Sequence, residues 1–575
     1  MNLFFEYQKK ILTILKVLES KKKIKLISNI KALTVELPPK NQKSHISCNA
    51  AMILAKINKI DPNNLAEIIK KELLKNFKEF EKIEVAKPGF LNIYFHNHFM
   101  KDFLTKTVKL NSKYGSNKTK KRKYNIEFVS ANPTGPLHVG HCRGAILGDT
   151  LSNLLAFNGN KIVKEYYVND YGGQIKNFVT SVYYRILEIK EKKPFPDDPN
   201  LYPGEYIVHI AKKIIKKNSI KKFSNLEIIY NKLSRESLKL SMELIKNDLN
   251  LLGIKHDNFV YESKLIKQKL VSKVVKRLQK KKYIYEGKLE KPKGENTEDW
   301  KIREQLLFKS SIFGDDIDRP LQKADGTWTY FAGDMAYHFH KISKNYDILI
   351  NILGADHAGY TKRIISATKA ISDSKIDLIC KVSQLVKLFK NGIPFKMSKR
   401  KGDYITVDDL IREVGRDSAR FMMLSRSNEV ELDFDFQKVT EKSKDNPVFY
   451  VQYAYARINS IFRTLNLNLE DKINLKDENF NLNYHEIEIL KKILEWPKCV
   501  ELSSNKLEPH RIPFFLYELV SLFHAYWNLG KDHSEFRFVS NDKSLNKARL
   551  VLLQSLSIVI RNGMNILGVS TPSKM

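Results

Sequence analysis

The spacing of apolar residues divides this chain of 575 residues into a mixed first part and a helical last part. In the first hundred residues, apolar positions at helical spacing precede two short apolar runs that flank the turn Lys87-Pro88-Gly89. That order is typical of a small α/β domain. From about residue 446 onward, apolar positions recur every three or four residues, which predicts helices. The predicted helices cover 49–56, 65–77, 448–462, 485–499, 510–529 and 544–566, and the predicted strands cover 83–86 and 90–95.

The middle of the chain opens with a strand, a loop that contains proline and glycine, and a helix. The strand is predicted over 124–129, the loop over Ala131–Pro136, and the helix through Leu155. This order begins a nucleotide-binding βαβ unit, in which parallel strands alternate with helices. Further strands are predicted over 161–168 and 348–353.

Basic and polar segments indicate the boundaries between these parts. The run of cations at 118–123 indicates a linker, since a solvated charge run is a simpler interpretation than an RNA contact. Basic helices and a loop rich in Pro, Gly and Glu at 288–298 indicate an insertion into the sheet domain. The predicted fold class is multidomain α/β: a small α/β domain over 1–105, a linker over 106–123, a Rossmann-like parallel-sheet domain over 124–440 with an insertion at about 176–320, and an all-α domain over 441–575.

Charge and cysteine content narrow the classes of function. The formal net charge is +35 and the pI about 9.6, a surplus that draws polyanions such as RNA, although a Lys-, Asn- and Ile-rich composition alone raises the charge. The four cysteines lie far apart, so neither a disulfide framework nor a metal site is predicted. No apolar stretch approaches the roughly 20 residues of a membrane span, and residues 1–16 lack the features of a signal peptide. The sequence predicts a cytoplasmic protein that does not contact a membrane.

Two histidines, His138 and His141, lie at the predicted start of the helix after the loop. At a helix N-terminus their N–H groups can bind phosphate oxygens, and the partial positive charge of the helix end adds to that attraction. Gly140 between them lets a flat purine lie against the backbone. Such donors suit the activation of a carboxylic acid by ATP, which depends on positioning and electrostatic stabilisation. A helix start with two surface histidines is the alternative.

A second candidate for phosphate binding is the basic segment Lys396-Met397-Ser398-Lys399, which Arg400-Lys401-Gly402 follows. Cations on the β- and γ-phosphates would offset the charge that develops as pyrophosphate leaves. Alone, such a segment is more often a solvated basic surface. The combination with His138 and His141, in this order and on either side of an insertion, is specific.

The two segments together resemble the HIGH and KMSK motifs of class I aminoacyl-tRNA synthetases, whose catalytic domain is a Rossmann-like sheet. Longer matches over most of the chain resemble arginyl-tRNA synthetases in their bacterial form. The resemblance implies a two-step ligase reaction: arginine attacks the α-phosphate of ATP, and the arginyl group of the adenylate then passes to the terminal ribose of tRNA. The matching segments are 127–136 (EFVSANPTGP), 166–170 (YYVND), 325–327 with Tyr330 and Asp334, 445–454 (DNPVFYVQYA), 561–563 (RNG) and 567–569 (LGV).

The resemblance implies that the arginine side chain binds Glu127, Tyr330 and Asp334, and that the α-amino group binds Asn132. The chemistry fits, since a guanidinium is a planar fork of donors that binds carboxylates and stacks on an aromatic ring. Tyr330 and Asp334 share one face if their segment is helical. Taken singly, each residue is as readily a surface carboxylate or a core tyrosine. A charged pocket rejects uncharged amino acids, so no editing domain is expected.

The resemblance also implies the ATP contacts and the catalytic groups. In the segment Gly354-Ala355-Asp356-His357, Asp356 follows a predicted strand, where a carboxylate can bind sugar hydroxyls or cap a helix. Asn169, Asp170 and Gln174 resemble a segment near the active site. The expected catalytic residues are His138, His141, Lys396 and Lys399, and the expected ATP-binding residues are Gly140, Asp356, His357, Met397 and Ser398.

The helical domain resembles the anticodon-binding domain of this class, and the N-terminal domain resembles a module that contacts the tRNA elbow. Tyr450 and Tyr453 are predicted to stack on anticodon bases, with a core-facing aromatic stripe as the alternative. Two departures limit what carries over. Relatives have His-Gly-Asp where this chain has Lys43-Ser44-His45, and they usually have His in place of Tyr455.

The substrates implied are L-arginine, tRNA(Arg) and ATP with Mg²⁺, with no tightly bound cofactor and a monomeric enzyme. The resemblance further implies that arginine activation requires bound tRNA. Two rival interpretations stay open. One is a class I synthetase for another amino acid such as cysteine or leucine, although zinc-ligand cysteines are lacking. The other is an RNA-binding paralogue without catalysis; the chain length excludes a small nucleotidyltransferase.

Overall fold

The computed structural model describes residues 2–27, 30–40, 42–117, 121–217, 220, 223, 225–289, 303–394, 405–475, 480–539 and 546–575. The chain divides into two compact units. The first combines both ends of the chain, Met1–Thr119 with Phe157–Gly159 and Glu441–Met575. The second comprises Lys120–Ala156 and Asn160–Thr440, and it contains the predicted catalytic segments.

Helices and strands alternate up to residue 435, and helices follow it. Residues 2–117 form α1 (Leu3–Ser20), β1 (Val35–Glu36), β2 (Ile46–Cys48), α2 (Ala50–Asn58), α3 (Pro62–Asn76), β3 (Phe80–Ala86), β4 (Phe90–Phe95) and α4 (Asn97–Leu110). Residues 121–289 form β5 (Lys123–Glu127), α5 (Val139–Phe157), β6 (Lys161–Val168), α6 (Gly173–Glu191), α7 (Glu205–Lys217), α8 (Leu226–Leu251), β7 (Asn258–Tyr261), α9 (Glu262–Lys267), α10 (Leu270–Lys280) and β8 (Ile284–Gly287). Residues 303–435 form β9 (Gln305–Phe308), β10 (Arg319–Pro320), α11 (Tyr330–Ile342), β11 (Ile348–Gly354), α12 (Thr361–Ser372), β12 (Asp377–Ser383), β13 (Val386–Lys390), β14 (Ile393–Pro394), α13 (Val407–Val414), α14 (Arg416–Met423) and β15 (Leu432–Asp435). The later helices are α15 (Pro447–Thr464), α16 (Tyr484–Lys506), α17 (Arg511–Asp532) and α18 (Lys547–Leu567).

A five-stranded parallel sheet forms the centre of the second unit, in the order β12-β11-β5-β6-β7. Strands of a sheet covered on both faces are apolar along their length, and the first five residues of β11 are all buried. The strands predicted over 161–168 and 348–353 are confirmed as β6 and β11. The strand predicted over 124–129 ends earlier, at Glu127, where the chain turns toward the loop. The predicted Rossmann-like parallel sheet is therefore confirmed.

The predicted insertion contains a strand of this main sheet, which corrects its bounds of about 176–320. β7 pairs in parallel with β6, with Asn258 opposite Glu165. The chain that departs from the sheet is thus two separate segments, α6–α8 before β7 and the region of α9, α10 and the antiparallel sheet β10-β9-β8 after it. The sequence analysis missed β7 because its four residues are half-buried or exposed, and its apolar run of three residues is too short to distinguish a strand from a loop. Most of the loop predicted over 288–298 lies outside the described residues.

A small sheet in the order β14-β13-β15 lies later in the second unit. β13 runs parallel to β15 and antiparallel to β14. The described chain stops at Pro394, the last residue of β14, and resumes at Ile405. Lys396, Met397, Ser398 and Lys399 of the predicted KMSK segment lie outside the described residues.

The N-terminal part of the first unit is a four-stranded antiparallel sheet, β1-β2-β4-β3, with helices packed on it. The helices and strands predicted there are confirmed as α2, α3, β3 and β4. The sequence analysis did not predict α1, which buries Tyr7, Ile11 and Leu15. The ring of Tyr7 lies 5.1 Å from that of Phe95 in β4, so α1 is part of this core.

The predicted linker over 106–123 is partly helical and partly buried, which is a second correction. α4 continues to Leu110, and Tyr114 is fully buried. The hydroxyl of Tyr114 donates to the carbonyl of Ile493 in α16 at 2.7 Å, and its own carbonyl accepts from Trp496 and Asn562 at 3.1 Å each. The sequence analysis missed the buried Tyr114 because the basic residues that follow it made the whole segment look like a linker. Lys118 and Lys120 lie outside the described residues.

The C-terminal helices of the first unit follow the prediction closely, as α15, α16, α17 and α18. Among the described helices, α18 alone is long and apolar enough to cross a membrane by composition, and 89% of its apolar window is buried inside the protein. Its apolarity therefore reflects a core helix. Gly563 of the C-terminal segment 561–563 packs closely against α17, because a Cβ there would lie 2.8 Å from Leu516.

Candidate active site

The order of the parallel sheet predicts where a ligand binds. β6 and β7 extend from β5 on one side, and β11 and β12 extend on the other, so the strand order reverses between β5 and β11. In open parallel sheets, ligands bind at this switch point, outside the carboxyl ends of the strands. Glu127 ends β5 and Gly354 ends β11. The sequence-predicted residues that follow these two strands therefore lie at one edge.

The HIGH segment begins α5, and its backbone is held by side chains. The N–H of Leu137 donates to buried Asp248 of α8 at 2.7 Å. The N–H of His138 donates to Nδ1 of His141, and the N–H of Gly140 donates to Nδ1 of His138, both at 3.2 Å. The two imidazole rings lie 3.9 Å apart. Because each Nδ1 accepts a hydrogen bond, the neutral form of each ring carries its proton on Nε2.

The chain that follows the KMSK segment pairs directly with the HIGH segment. The N–H of Val139 donates to the carbonyl of Ile405 at 3.0 Å, and the N–H of Val407 donates to the carbonyl of Leu137 at 3.1 Å. These two bonds form an antiparallel bridge between His138 and Thr406. The residues just after position 404 are thus fixed beside the two histidines.

An acidic pocket lies next to this edge, formed by α9, α11 and the end of β6. Asp334 accepts a hydrogen bond from the hydroxyl of Tyr360. Burial raises the pKa of Asp334 to about 6, and the neighbouring carboxylate of Glu127 contributes. Burial, together with the charges of Asp334 and Asp170, raises the pKa of Glu262 to about 7. Carboxylates held close together, with raised pKa values, are suited to bind a positively charged group.

The second carboxylate of the pocket is positioned from two sides. With its nitrogen turned toward Glu262, the amide of Asn169 donates to Oε2 of Glu262 at 2.6 Å. Asp170 accepts from the N–H and the hydroxyl of Ser263, at 2.8 and 2.6 Å, and so holds the start of α9. Asn169 and Asp170 were predicted to lie near the site. Glu262 was not predicted, and recognition of β7 would have identified it, since Glu262 follows that strand directly.

Glu127 differs from Asp334 and Glu262 because its charge is already balanced. Its Oε2 accepts from the fully buried Lys341 at 2.5 Å, and its Oε1 accepts from Ser130 at 3.0 Å. Although burial acts in the opposite direction, the Lys341 ammonium lowers the pKa of Glu127 overall. Lys341 also donates to Asn351 of β11 at 2.9 Å. This network joins β5, α11 and β11 beneath the pocket.

The backbone after β5 is strained where it turns into the site. Val129 and Ser130 both have positive φ, 70° and 43°, a region that non-glycine residues rarely adopt. The turn brings the hydroxyl of Ser130 to Glu127 and to the N–H of Tyr167 at 3.0 Å. Asn132 follows, and its amide donates to Gln174 of α6 at 2.5 Å. Gln174 was also predicted to lie near the site.

Tyr330 begins α11, one turn before Asp334, so the predicted helical face is confirmed. Its side chain is 77% exposed, and Lys323 lies 5.3 Å from its ring centroid. An exposed ring at this position can cover a ligand that occupies the acidic pocket.

Asp356 and His357 lie in the short 3₁₀ helix Ala355–Tyr360, immediately after β11. Both side chains are largely exposed, and Nε2 of His357 lies 3.4 Å from Oδ2 of Asp356. A Cβ on Gly354 would lie 2.5 Å from Oδ1 of Asp356, so the carboxylate occupies the space that a side chain would need. Asp356 does not cap a helix by a described hydrogen bond.

The predicted tRNA-contacting tyrosines belong to an aromatic cluster on α15 and α17 of the first unit. Tyr450 lies 4.2 Å from the ring of His524, and Tyr453 lies 5.9 Å from it. The guanidinium of Arg457 lies 4.2 Å from the ring of Tyr453 and 4.9 Å from that of Trp527. Tyr450, Tyr453, Arg457 and Trp527 are half-buried, so they are neither core residues nor freely solvated. The sequence analysis did not predict Arg457, His524 or Trp527.

The described residues contain no group of three or more His, Cys, Asp and Glu side chains that could hold a metal ion. Cys48, Cys142, Cys380 and Cys499 are free thiols in this structure.

A parallel sheet with the HIGH histidines at its switch point, followed by a helical domain, defines a class I aminoacyl-tRNA synthetase. A family model described as "tRNA synthetases class I (R), catalytic domain" matches residues 103–462. The model for the arginyl-tRNA synthetase N-terminal domain matches residues 8–95, and the DALR anticodon-binding domain matches residues 451–575.

Curated relatives agree over the whole length of the chain. An arginine–tRNA ligase of Pelagibacter ubique is 56% identical over 100% of both chains, and one of Bartonella quintana is 43% identical over 100% of both. The solved structure of Thermus thermophilus arginyl-tRNA synthetase has the same fold, with a TM-score of 0.72 at 18% identity over 100% of both chains. The chain belongs to the arginyl-tRNA synthetase family. This membership excludes the rival interpretation of a synthetase for cysteine or leucine.

Proposed function

We propose a role for each residue of the site in the two steps of the arginine–tRNA ligase reaction, which membership of this family assigns to the chain. In the first step, the carboxylate of arginine attacks the α-phosphate of ATP, and pyrophosphate leaves. In the second step, the arginyl group of the adenylate passes to the terminal ribose of tRNA(Arg), and AMP leaves. Arginine, ATP and tRNA meet at the carboxyl edge of the parallel sheet.

The observation that carries this proposal is the acidic pocket of Asp334 and Glu262. Two carboxylates with raised pKa values repel each other until a cation separates them. A guanidinium offers five donors in a plane, so it can bind both carboxylates at once. Each carboxylate oxygen of Glu127 already accepts one hydrogen bond, and a remaining lone pair accepts a further hydrogen bond from the guanidinium. Tyr330 covers the pocket, and Asn132 binds the α-amino group.

ATP binds between the HIGH segment and the end of β11. His138 and His141 donate Nε2–H to phosphate oxygens at the N-terminus of α5, where the helix dipole adds attraction. Gly140 leaves room for the purine, and Asp356 binds the ribose beside His357. Lys396 and Lys399 balance the charge of the departing pyrophosphate, while Met397 and Ser398 contact the nucleotide. Mg²⁺ accompanies ATP as part of the substrate complex.

We assign the first unit to the binding of tRNA. Tyr450 and Tyr453 stack on anticodon bases, and Arg457, held between two aromatic rings, adds a cation to the same surface. We assign tRNA contacts to 1–105, activation to 124–440 and anticodon recognition to 441–575. We further propose a monomeric cytoplasmic enzyme that does not contact a membrane and that activates arginine only with tRNA bound.

Arginylation of tRNA tests the proposed roles of the histidines. We expect His138→Ala and His141→Ala each to lower kcat by about 100- to 1,000-fold, since each removes one donor to the transition state. His209→Ala is the matched control, because His209 is an exposed histidine on α7. It should leave kcat within about twofold. Equal rates for all three variants would contradict the assignment.

A further inference from the structure

Arg143 is a buried cation in the helix that carries the HIGH histidines. It lies two residues after His141, on the inner face of α5, and only 2% of it is exposed. Burying a charge is costly unless it is paired and hydrogen-bonded. Burial lowers the pKa of Arg143 to about 10, and the neighbouring cation Arg426 adds to this effect. Among the described residues, no carboxylate pairs with the Arg143 guanidinium. Its hydrogen bonds must therefore offset the cost of burying its charge.

Those hydrogen bonds go to the backbone of two distant segments. Nη1 donates to the carbonyl of Gln384 at 3.1 Å and to that of Val430 at 2.7 Å. Nη2 donates to the carbonyl of Ser427 at 2.8 Å. Gln384 lies in the turn between β12 and β13, while Ser427 and Val430 lie in the turn before β15. A single side chain of the HIGH helix therefore holds both turns.

The two turns are also joined to each other by hydrogen bonds. Asn428, which is buried, donates from its side chain to the carbonyl of Val382 at 2.8 Å, and its own carbonyl accepts from the N–H of Gln384 at 2.9 Å. The N–H of Leu432 then donates to the carbonyl of Leu385 at 3.0 Å, where β13 and β15 begin to pair. β13 leads through β14 to residue 394, the last described residue before the KMSK segment.

We propose that Arg143 is a positioning residue for adenylate formation: it sets the place of the strands that lead into the KMSK segment relative to the HIGH histidines. The chain after the segment is fixed to Leu137 and Val139 by backbone hydrogen bonds. The chain before it is fixed through Arg143 and β13. The described chain on either side of the KMSK segment is therefore hydrogen-bonded, directly or through neighbouring turns, to the same region at the start of α5. The inference rests on the proposed role of the KMSK lysines at the phosphates.

A planar fork is required for this task, which makes lysine a partial substitute. Arg143 spans three carbonyls because its two terminal nitrogens diverge in a fixed plane. The single ammonium of a lysine keeps the positive charge but holds fewer of the three carbonyls in a fixed geometry. A methionine keeps the apolar stem and removes every donor. The series Arg, Lys, Met at position 143 therefore reduces the number of hydrogen bonds to the two turns stepwise, while the size of the side chain changes little.

The test is tRNA-supported exchange of pyrophosphate into ATP by the full-length variants Arg143→Lys and Arg143→Met. Misplacement of catalytic groups by about 1 Å costs about 100-fold in rate. We expect kcat to fall by about 100-fold in Arg143→Met and by about 10-fold in Arg143→Lys. The KM for arginine should stay within about threefold of wild type, because the acidic pocket is built on α9 and α11. Thermal unfolding is measured in parallel to confirm that each variant is folded at the assay temperature.

Arg185→Met is the matched control, since Arg185 in α6 also donates to a backbone carbonyl, that of Pro203 at 2.9 Å, but contacts neither turn. Its kcat should stay within about twofold of wild type. A folded Arg143→Met with wild-type kcat would overturn the proposal, as would a parallel rise in the KM for arginine. If Arg143→Met does not fold, Arg143→Lys decides by the same criteria. Exchange by the wild-type enzyme with arginine tests the proposed function separately.

Discussion

The substitution Asp334→Asn should have opposite effects on arginine binding and on stability. Asn is close to Asp in size, and its carbonyl oxygen can still accept the hydrogen bond from Tyr360. What it removes is the negative charge in the acidic pocket. A hydrogen bond to a charged partner contributes about 1.5–3 kcal/mol, so we expect the KM for arginine to rise by about 10- to 150-fold.

The same charge destabilises the protein when arginine is absent. The pKa of Asp334 rises from its ordinary value of 3.8 to about 6 because of burial, so the folded state binds the proton more tightly than the unfolded chain. The cost is absent below about pH 4, where both states are protonated, and complete above about pH 6. That difference corresponds to about 3 kcal/mol at most. Asp334→Asn should therefore raise the free energy of unfolding at pH 8 and leave it nearly unchanged at pH 4.

The KM for arginine should also depend on pH in a way that the variant alters. In the wild-type enzyme, KM falls as pH rises through about 6 to 7, because protonated Asp334 and Glu262 cannot pair with the guanidinium. Without the charge of Asp334, one cause of the raised pKa of Glu262 is lost, so the transition should move to lower pH. Urea unfolding at pH 4 and pH 8, and exchange kinetics from pH 5.5 to 8, measure both effects. The exposed Asp316→Asn is the control. A variant that loses arginine binding and also loses stability at pH 8 would refute the reasoning.

Three further predictions concern other parts of the molecule. Glu262→Gln should raise the KM for arginine by at least about 10-fold without changing the KM for ATP, and an unchanged KM for arginine in exchange kinetics would remove Glu262 from the pocket. Gly148→Ala should destabilise the second unit by about 1–3 kcal/mol in urea unfolding, because the added Cβ would lie 2.3 Å from the ring of Phe128. Gly173→Ala, with nothing within 4 Å of the added Cβ, should be neutral or stabilising. Tyr453→Ala should raise the KM for tRNA by about 5- to 100-fold in arginylation, whereas Phe514→Ala, an exposed aromatic on α17 outside the cluster, should not.

The sequence predicted the main sheet because its strands have distinct patterns. β11 is an apolar run with a single polar residue, Asn351, and β6 and β5 precede helices at the expected spacing. β7 was missed because a four-residue edge strand with half-buried side chains carries no such pattern. Because β7 was not predicted, the segment before it (α6–α8) and the segment after it (α9 to β10) were predicted as one insertion. The linker was misjudged for a similar reason, because Tyr114 is a single buried anchor among polar residues.

The sequence predicted residue types of the site better than their pairings. Carboxylates and an aromatic ring are expected for a guanidinium, and the structure places Asp334 and Tyr330 one turn apart on α11. That Lys341 balances Glu127 depends on the register of α11 against β5, which no local pattern reveals. Glu262 and Arg143 were missed for the same reason. Their importance follows from distant partners, at the end of an unrecognised strand and in two turns about 240 and 285 residues away.

Pyrophosphate exchange into ATP with each of the twenty amino acids, with and without total tRNA, tests the central claim most directly. The claim is that the acidic pocket at the sheet edge selects arginine for activation by ATP. We predict exchange with arginine alone, and only when tRNA is present. Exchange with an uncharged amino acid would contradict the assignment of the pocket, and no exchange under any condition would favour an RNA-binding paralogue without catalysis.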